Sequence, residues 1–172
     1  FNPMPHPDLL KENPNVYLSM GITAENVAKK YNIDRAEQQE FAISSHEKAF
    51  NADKNGNFKD EITIINNQNH EVSKDGGIRA GTTQDILNGL KLAFDNKGTV
   101  TAGTSSPLTD GAAATLICEE EYAKKNNLDI LARIKSSAVN GCEPEVMGLG
   151  PIGASKKALN RAGLTIEDID VF

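Results

Sequence analysis

Residues 98–114 read GTVTAGTSSPLTDGAAA, and this stretch restricts the fold more than any other part of the chain. It holds three glycines, a series of hydroxyl side chains and a single charged residue, Asp110. Small residues let a backbone approach a ligand or a second backbone closely. Two interpretations therefore remain open at this point: a turn that faces a ligand, or a strand packed tightly against another sheet or subunit.

The first part of the chain is predicted to be irregular and then helical. Residues 1–15 contain four prolines, which favours an irregular entry over a helix. Thr23 is a candidate helix cap, because the residues after it repeat apolar side chains at helical spacing. The predicted apolar face of that short helix consists of Ala24, Val27, Ala28 and Tyr31.

A longer helix is predicted to follow. Asp34 and Glu37 have the spacing of a capping box, in which each side chain accepts a hydrogen bond from the other residue's backbone N–H. The helix is expected to run to about Asp53. After it, residues 61–65 are predicted to form a strand, and residues 84–90 a third helix capped by Thr82 or Thr83.

From Gly98 onward the composition changes, and strand and helix signals alternate. Such alternation is typical of a layered α/β fold. The predicted strands are residues 99–101, 130–138 and 168–172, and the predicted helices are residues 119–126 and 155–162, with Gly163 ending the second helix.

Charge and cysteine content exclude several functional classes. The 172 residues carry a formal net charge of -6, which disfavours general binding to nucleic acid or to an anionic membrane. No apolar run is long enough to predict a membrane span, and the expected location is cytoplasmic. Cys118 and Cys142 lack metal-site spacing and are interpreted as reduced core residues. The three histidines have no metal-like spacing either, so no metal site is predicted.

Four segments together resemble the thiolase family over essentially the whole chain. They are SMGITAENVAKKYNIDRAEQQEFAISSHEKA, GGIRAGTTQDILNGLKLAFDNKGTV, GTVTAGTSSPLTDGAAA and GCEPEVMGLGPIGASKKALNRAGLTIEDIDVF. The last segment is most similar to the degradative 3-ketoacyl-CoA thiolases of bacterial fatty-acid β-oxidation. The resemblance implies an α/β fold with the layered α-β-α-β-α architecture of thiolases, present here as a partial chain with a mostly helical loop domain.

The resemblance also implies a division of the chain and an activity. Residues 1–97 would be the CoA-covering loop domain, residues 98–130 the end of the N-terminal half, and residues 131–172 the start of the C-terminal half. Thiolases are acyltransferases that exchange an acyl group between a cysteine and CoA, with acetyl-CoA as the other product. CoA and 3-ketoacyl-CoA are then substrates, no prosthetic group is expected, and a homodimer or higher oligomer is implied, with a multifunctional β-oxidation subunit as a possible further partner.

Six residues match family positions that contact CoA. Met20 corresponds to a methionine of the pantetheine tunnel, Arg79 to an arginine near the adenosine end, and Ser106 to a serine that hydrogen-bonds a pantetheine amide. The other three are Phe94 on the adenine side, Ala102 on the same wall as Ser106, and Met147 near the acyl-reactive end.

No catalytic residue is assigned. The family's nucleophilic cysteine, its Asn-Glu-Ala-Phe and Gly-His-Pro segments and its Cys-x-Gly cysteine have no match in this sequence. The chain alone is therefore expected to be inactive. Two other interpretations stay open: a non-catalytic module for CoA binding or oligomerisation, and a biosynthetic acetoacetyl-CoA thiolase. Ser19 departs from the family pattern, since biosynthetic members often carry a CoA-contacting histidine there, and this counts against the CoA contact at the adenosine end.

Overall fold

The structure is a computed structural model that describes residues 4–66 and 70–172. The chain divides into two compact units, which are described separately. The N-terminal unit ends at Pro107, and the C-terminal unit is Leu108–Phe172. The predicted domain boundaries at residues 97 and 130 remain predictions. None of the helices in the described ranges is long and apolar enough to cross a membrane.

The start of the chain is irregular at residues 4–6, as predicted, and helical after them, contrary to the prediction. Helix α1 is Pro7–Glu12, and a 3-10 helix follows at Pro14–Tyr17. The helical part was missed because Pro7 and Pro14 each stand in the first turn of a helix, where no intrahelical partner for an N–H is needed and the fixed φ is already helical. Residues 1–3 of the predicted irregular entry lie outside the described residues.

Helix α2 is Met20–Tyr31, and it begins before the predicted cap. Ser19 is the N-cap, and its hydroxyl accepts a hydrogen bond from the Ile22 N–H at 3.4 Å. Thr23 instead lies buried inside the helix and donates its hydroxyl to the Met20 carbonyl oxygen at 2.8 Å. The predicted apolar face was also wrong, because Ala24 and Tyr31 are exposed while Gly21, Glu25 and Ala28 are buried.

Helix α3 is Arg35–Lys54, as the capping-box spacing predicted. The Glu37 N–H donates to Asp34 Oδ1 and the Asp34 N–H donates to Glu37 Oε2, both at 2.9 Å. A two-residue antiparallel pair follows, β1 at Ile65–Asn66 and β2 at Glu71–Val72. Only Ile65 of the strand predicted at residues 61–65 is therefore in a strand.

Helix α4 is Gln84–Asn88, and it begins at one of its two predicted caps. The Thr83 hydroxyl accepts from the Ile86 N–H at 3.3 Å. Beyond it, residues 99–101 do not form the predicted strand; the chain makes one antiparallel bridge between Leu92 and Thr101 and then a 3-10 helix at Ala102–Thr104. The core of the N-terminal unit lies among α2, α3, α4 and this bridge, where Ala28, Leu87 and Val100 are buried.

The C-terminal unit has the two predicted helices but no strand. Helix α5 is Glu120–Lys125 and helix α6 is Gly150–Ala162, with 3-10 helices at Pro144–Leu149 and Ile166–Asp168. Gly163 ends α6 with a left-handed φ of 67°, as predicted. Across this unit, which the structure describes completely, the strands predicted at residues 130–138 and 168–172 are absent.

Neither cysteine is a core residue. Cys118 and Cys142 are both exposed, so the interpretation of buried thiols was wrong. Cys118 ends the apolar run of residues 112–118, and every residue of that run is exposed in the structure. Cys118 is exposed because no other element packs against either face of this run, and an apolar composition alone does not bury a segment.

Candidate functional site

Four of the six predicted site residues lie on segments that meet in the N-terminal unit. Met20 is the first residue of α2, and its side chain is 72% exposed. The Phe94 ring packs directly over the next residue, Gly21, where a Cβ atom would overlap the ring. Ala102 and Ser106 lie in and just after the 3-10 helix, and both are exposed. These side chains are therefore available to a ligand.

The segment that precedes Phe94 is joined to the segment that precedes Ala102. Leu92 and Thr101 form an antiparallel bridge, and the Ala93 N–H donates to the Val100 carbonyl oxygen at 2.9 Å. The two predicted contact segments therefore have a fixed relative position, set by backbone hydrogen bonds.

Thr101 makes most of the hydrogen bonds that shape the turn within the small-residue stretch, residues 98–114. It is fully buried, and its hydroxyl accepts from the Gly103 N–H at 3.2 Å. The Thr101 N–H donates to Thr104 Oγ1 at 3.1 Å, and the Ser105 hydroxyl donates to the Thr101 carbonyl oxygen at 2.8 Å. The hydroxyls at 101, 104 and 105 are thus engaged in the turn itself.

Gly103 packs closely against two leucine side chains. A Cβ atom there would overlap the ends of the Leu87 and Leu90 side chains. The small-residue stretch therefore packs against α4 on one side, while Ala102 and Ser106 are exposed to solvent. The stretch is a turn packed against α4 rather than a strand packed on a sheet, and a ligand at its exposed side remains a prediction.

Arg79 lies against α3. Its backbone N–H donates to His46 Nδ1 at 3.3 Å, and its carbonyl oxygen accepts from the Thr82 hydroxyl at 2.8 Å. The Arg79 side chain is exposed and borders an open cleft of about 290 Å³. His46 and Phe50 of α3 form the facing wall of that cleft.

Met147 belongs to the C-terminal unit. It lies in the 3-10 helix Pro144–Leu149 and is 44% exposed. Its carbonyl oxygen accepts from the Cys142 thiol, with an Sγ–O distance of 3.7 Å. The contact of Met147 with CoA remains a prediction.

Three polar residues near the candidate site, two buried and one half-buried, were missed by sequence reasoning. Glu25, on α2, is 9% exposed, and Gln39, on α3, is fully buried and accepts a hydrogen bond from the Gln84 side chain. Arg35 donates through Nη2 to carbonyl oxygens at the end of α4. One signal could have identified Glu25: it lies between Gly21 and Ala28 at helical spacing, and small neighbours on one helix face leave room for burial.

Comparison with protein families confirms the resemblance to thiolases that four segments of the sequence indicated. Residues 6–121 match the family described as "Thiolase, N-terminal domain", and residues 128–172 match "Thiolase, C-terminal domain". The chain belongs to the thiolase family. Its fold class is likewise that of a partial thiolase chain, as predicted.

Two curated relatives illustrate the range of named activities. The 3-ketoacyl-CoA thiolase of Bacillus subtilis is 44% identical over 98% of this chain and 46% of its own length. The acetyl-CoA acetyltransferase of Rhizobium meliloti is 48% identical over 88% of this chain and 40% of its own length. The chain therefore spans less than half the length of these relatives.

Two solved structures have the same fold. The dimeric peroxisomal thiolase of Saccharomyces cerevisiae has a TM-score of 0.94 and 37% identity, over 99% of this chain and 45% of that one. The human mitochondrial 3-ketoacyl-CoA thiolase in complex with CoA has a TM-score of 0.87 and 40% identity, over 92% of this chain and 40% of that one.

Proposed function

We propose that these residues are the central part of a 3-ketoacyl-CoA thiolase that acts in fatty-acid β-oxidation. The observation that carries the proposal is the extent of the match. The 3-ketoacyl-CoA thiolase of Bacillus subtilis aligns with 98% of this chain at 44% identity, and the segment GCEPEVMGLGP resembles the degradative enzymes.

The proposed reaction transfers an acyl group between two thiols. A cysteine thiolate of the complete protein attacks the C3 carbonyl of a 3-ketoacyl-CoA, and the bond between C2 and C3 breaks. The departing enolate of acetyl-CoA takes up a proton. The sulfur of a free CoA then attacks the acyl-cysteine thioester, which releases a shortened acyl-CoA and restores the cysteine.

The described residues are proposed to hold CoA rather than to perform this chemistry. The exposed Arg79 guanidinium suits the phosphate and adenine groups of the adenosine end, since it can pair with one and stack on the other. The Ser106 hydroxyl suits a pantetheine amide, with Ala102 leaving room for the chain. Met20 and Phe94 supply apolar surface beside that path, and Met147 is proposed to lie toward the acyl-reactive end.

Assembly and location are part of the same proposal. A homodimer is supported by the yeast relative, which is dimeric. The cytoplasm is the proposed location on the resemblance to bacterial thiolases, whereas the yeast and human relatives are peroxisomal and mitochondrial. A multifunctional β-oxidation subunit is proposed as a further partner on the resemblance alone.

Calorimetric titration with CoA tests the proposed binding residues. The unsubstituted chain is expected to bind CoA, and Arg79→Ala and Ser106→Ala are each expected to weaken binding. Lys48→Ala and Ser45→Ala are matched controls, because both residues are exposed on α3 and do not border the cleft. Binding that neither test substitution alters would contradict the residue assignment.

The activity is tested on the complete protein. It is expected to convert a 3-ketoacyl-CoA and CoA into acetyl-CoA and an acyl-CoA two carbons shorter, whereas the 172-residue chain alone is expected to show no turnover. Suppose the complete protein accepts acetoacetyl-CoA but rejects every 3-ketoacyl-CoA with a longer acyl chain. That result would contradict the degradative assignment and favour the biosynthetic one.

A further inference from the structure

Glu25 is a buried carboxylate whose hydrogen bonds all come from one short segment. It accepts from the Thr99 N–H at 2.9 and 3.0 Å, from the Val100 N–H at 2.8 Å and from the Thr99 hydroxyl at 3.1 Å. Burying a charge is unfavourable unless it is hydrogen-bonded, and here both carboxylate oxygens are engaged. The carboxylate therefore fixes Thr99 and Val100 against α2.

The approach of the two segments is close. A Cβ atom on Gly98 would overlap the Glu25 carboxylate, so the backbone at position 98 reaches the carboxylate only because it carries no side chain. Helix α3 contributes from the other side, where Gln38 Nε2 donates to the Thr99 hydroxyl at 2.8 Å. Because this hydroxyl accepts from Gln38, its own proton is directed to Glu25.

The fixed segment leads directly into the proposed pantetheine contacts. Val100 is followed by Thr101, whose backbone and hydroxyl set the 3-10 helix Ala102–Thr104. Ala102 is two residues beyond Val100, and Ser106 follows the same turn. A displacement of Val100 would therefore displace this turn as a unit.

Helix α2 also carries the other half of the proposed pantetheine path. Met20 begins the helix, and Gly21 lies under the Phe94 ring, one helical turn before Glu25. A single helix thus presents Met20, supports Phe94 and holds the backbone that leads to Ala102 and Ser106. The Glu25 carboxylate is the group that joins these two sides.

We propose that Glu25 is a positioning residue that holds the segment containing Ala102 and Ser106 in the geometry needed to bind the pantetheine arm of CoA. The inference rests on the proposed function, because it takes the CoA contact of that segment as given. Glu25 itself touches no ligand in this account. Its effect is transmitted through the backbone of Thr99 and Val100, and it is confined to the pantetheine side.

The test compares two ligands in the 172-residue chain. Glu25→Gln preserves the shape of the side chain but removes its charge and directs an amide donor toward backbone N–H groups. Loss of a charge-assisted hydrogen bond is expected to raise the Kd for CoA about tenfold. The Kd for adenosine 3′,5′-bisphosphate, which represents the adenosine end alone, is expected to change less than about twofold, since Arg79 is held by α3.

Two further variants keep the test informative if Glu25→Gln folds poorly. Thr99→Val removes only the hydroxyl shared by Gln38 and Glu25, and it is expected to weaken CoA binding by about threefold through one lost hydrogen bond. Glu40→Gln is the matched control, because Glu40 is exposed on α3.

The outcomes separate this inference from the proposed function. If the unsubstituted chain binds CoA and Glu25→Gln and Thr99→Val bind it with the same Kd, only the positioning role is overturned. An equal loss of both ligands in Glu25→Gln would also overturn it, because that result indicates general loss of structure. Failure of the unsubstituted chain to bind CoA would overturn the proposed binding residues, and this inference with them.

Discussion

The two units of the chain differ in how their parts are joined. In both units side chains bond backbone groups of other segments, but the sequence separations differ. The Arg35 and Glu25 bonds of the N-terminal unit span 52–75 residues, whereas those between α6 and residues 136–139 of the C-terminal unit span 18–24. In the C-terminal unit, residues 130–138 enter no sheet, and the buried apolar side chains are Ala123 and Val146. Segment 136–139 instead lies along α6, where Ser136 donates to the Ala158 carbonyl oxygen at 2.7 Å.

The difference between the units reflects where helices and strands find the hydrogen-bond partners of their backbone groups. A helix satisfies its backbone within one segment, and its caps come from neighbouring residues. A strand satisfies its backbone only against another strand. The C-terminal unit therefore keeps its helices while its predicted strands remain unpaired, and the N-terminal unit is joined mainly by helix packing and side-chain hydrogen bonds.

The largest effect is expected from Arg35→Ala. Arg35 Nη2 donates to the carbonyl oxygens of Leu87 and Leu90 at 2.8 Å and of Asn88 at 3.2 Å, at and just beyond the end of α4. Loss of this charged donor is expected to lower the free energy of unfolding of the N-terminal unit by about 2–3 kcal/mol. Urea unfolding followed by far-UV circular dichroism measures the change.

Arg133→Ala is the matched control in the C-terminal unit. Arg133 pairs with Glu120 at 2.6 Å, but its side chain is 62% exposed and the pair joins no distant backbone. Little change in the unfolding midpoint is expected, since exposed ion pairs contribute little. Equal losses for the two arginines would contradict the difference drawn between the units.

A smaller effect is expected from Gly21→Ala. The added Cβ would overlap the Phe94 ring, but the ring is 45% exposed and has room to turn outward. The expected loss is about 1 kcal/mol, with a shift of the Phe94 ring resonances in the NMR spectrum. Gly76→Ala is the control, because a Cβ there meets no atom within 4 Å; a similar loss in both variants would refute close packing at Gly21.

The smallest effect concerns the end of the chain. The Thr165 backbone N–H, and then its hydroxyl, hold the pKa of Asp168 below its usual range. Because the folded-state pKa is lowered, the stabilisation is present above the unfolded-state pKa and is lost as the pH falls through the folded-state value. Thr165→Val is expected to raise the Asp168 pKa only in part, since the backbone donor remains; an NMR titration with no change would contradict the hydroxyl's contribution.

The elements predicted correctly were those whose signals are local. The capping box of Asp34 and Glu37, the Thr83 cap and the glycine that ends α6 were all confirmed. The cap of α2 was misplaced because Thr23 and Ser19 are both good capping residues, and the buried face that decides between them depends on Phe94 and residues 98–100.

The candidate site was predictable only as a set of family positions. Motif resemblance identified Ala102 and Ser106, but no pattern in the sequence showed that Glu25 would hold their segment. That contact joins residues 74 and 75 positions apart, and it depends on the absence of a side chain at Gly98. Hydrogen bonds across such separations follow from tertiary packing, which local propensity does not encode.

Amide hydrogen exchange of the whole chain, with and without CoA, tests the central claim that the N-terminal unit presents a preformed CoA-binding segment. Without CoA, the amides of Thr99 and Val100 are expected to exchange slowly, while those of residues 130–138 exchange near the rate of an unfolded peptide. Adding CoA is expected to slow exchange further at residues 98–106 and at the start of α2, but not at residues 130–138. Rapid exchange at Thr99 and Val100 without CoA, or equal protection of both regions by CoA, would contradict the account.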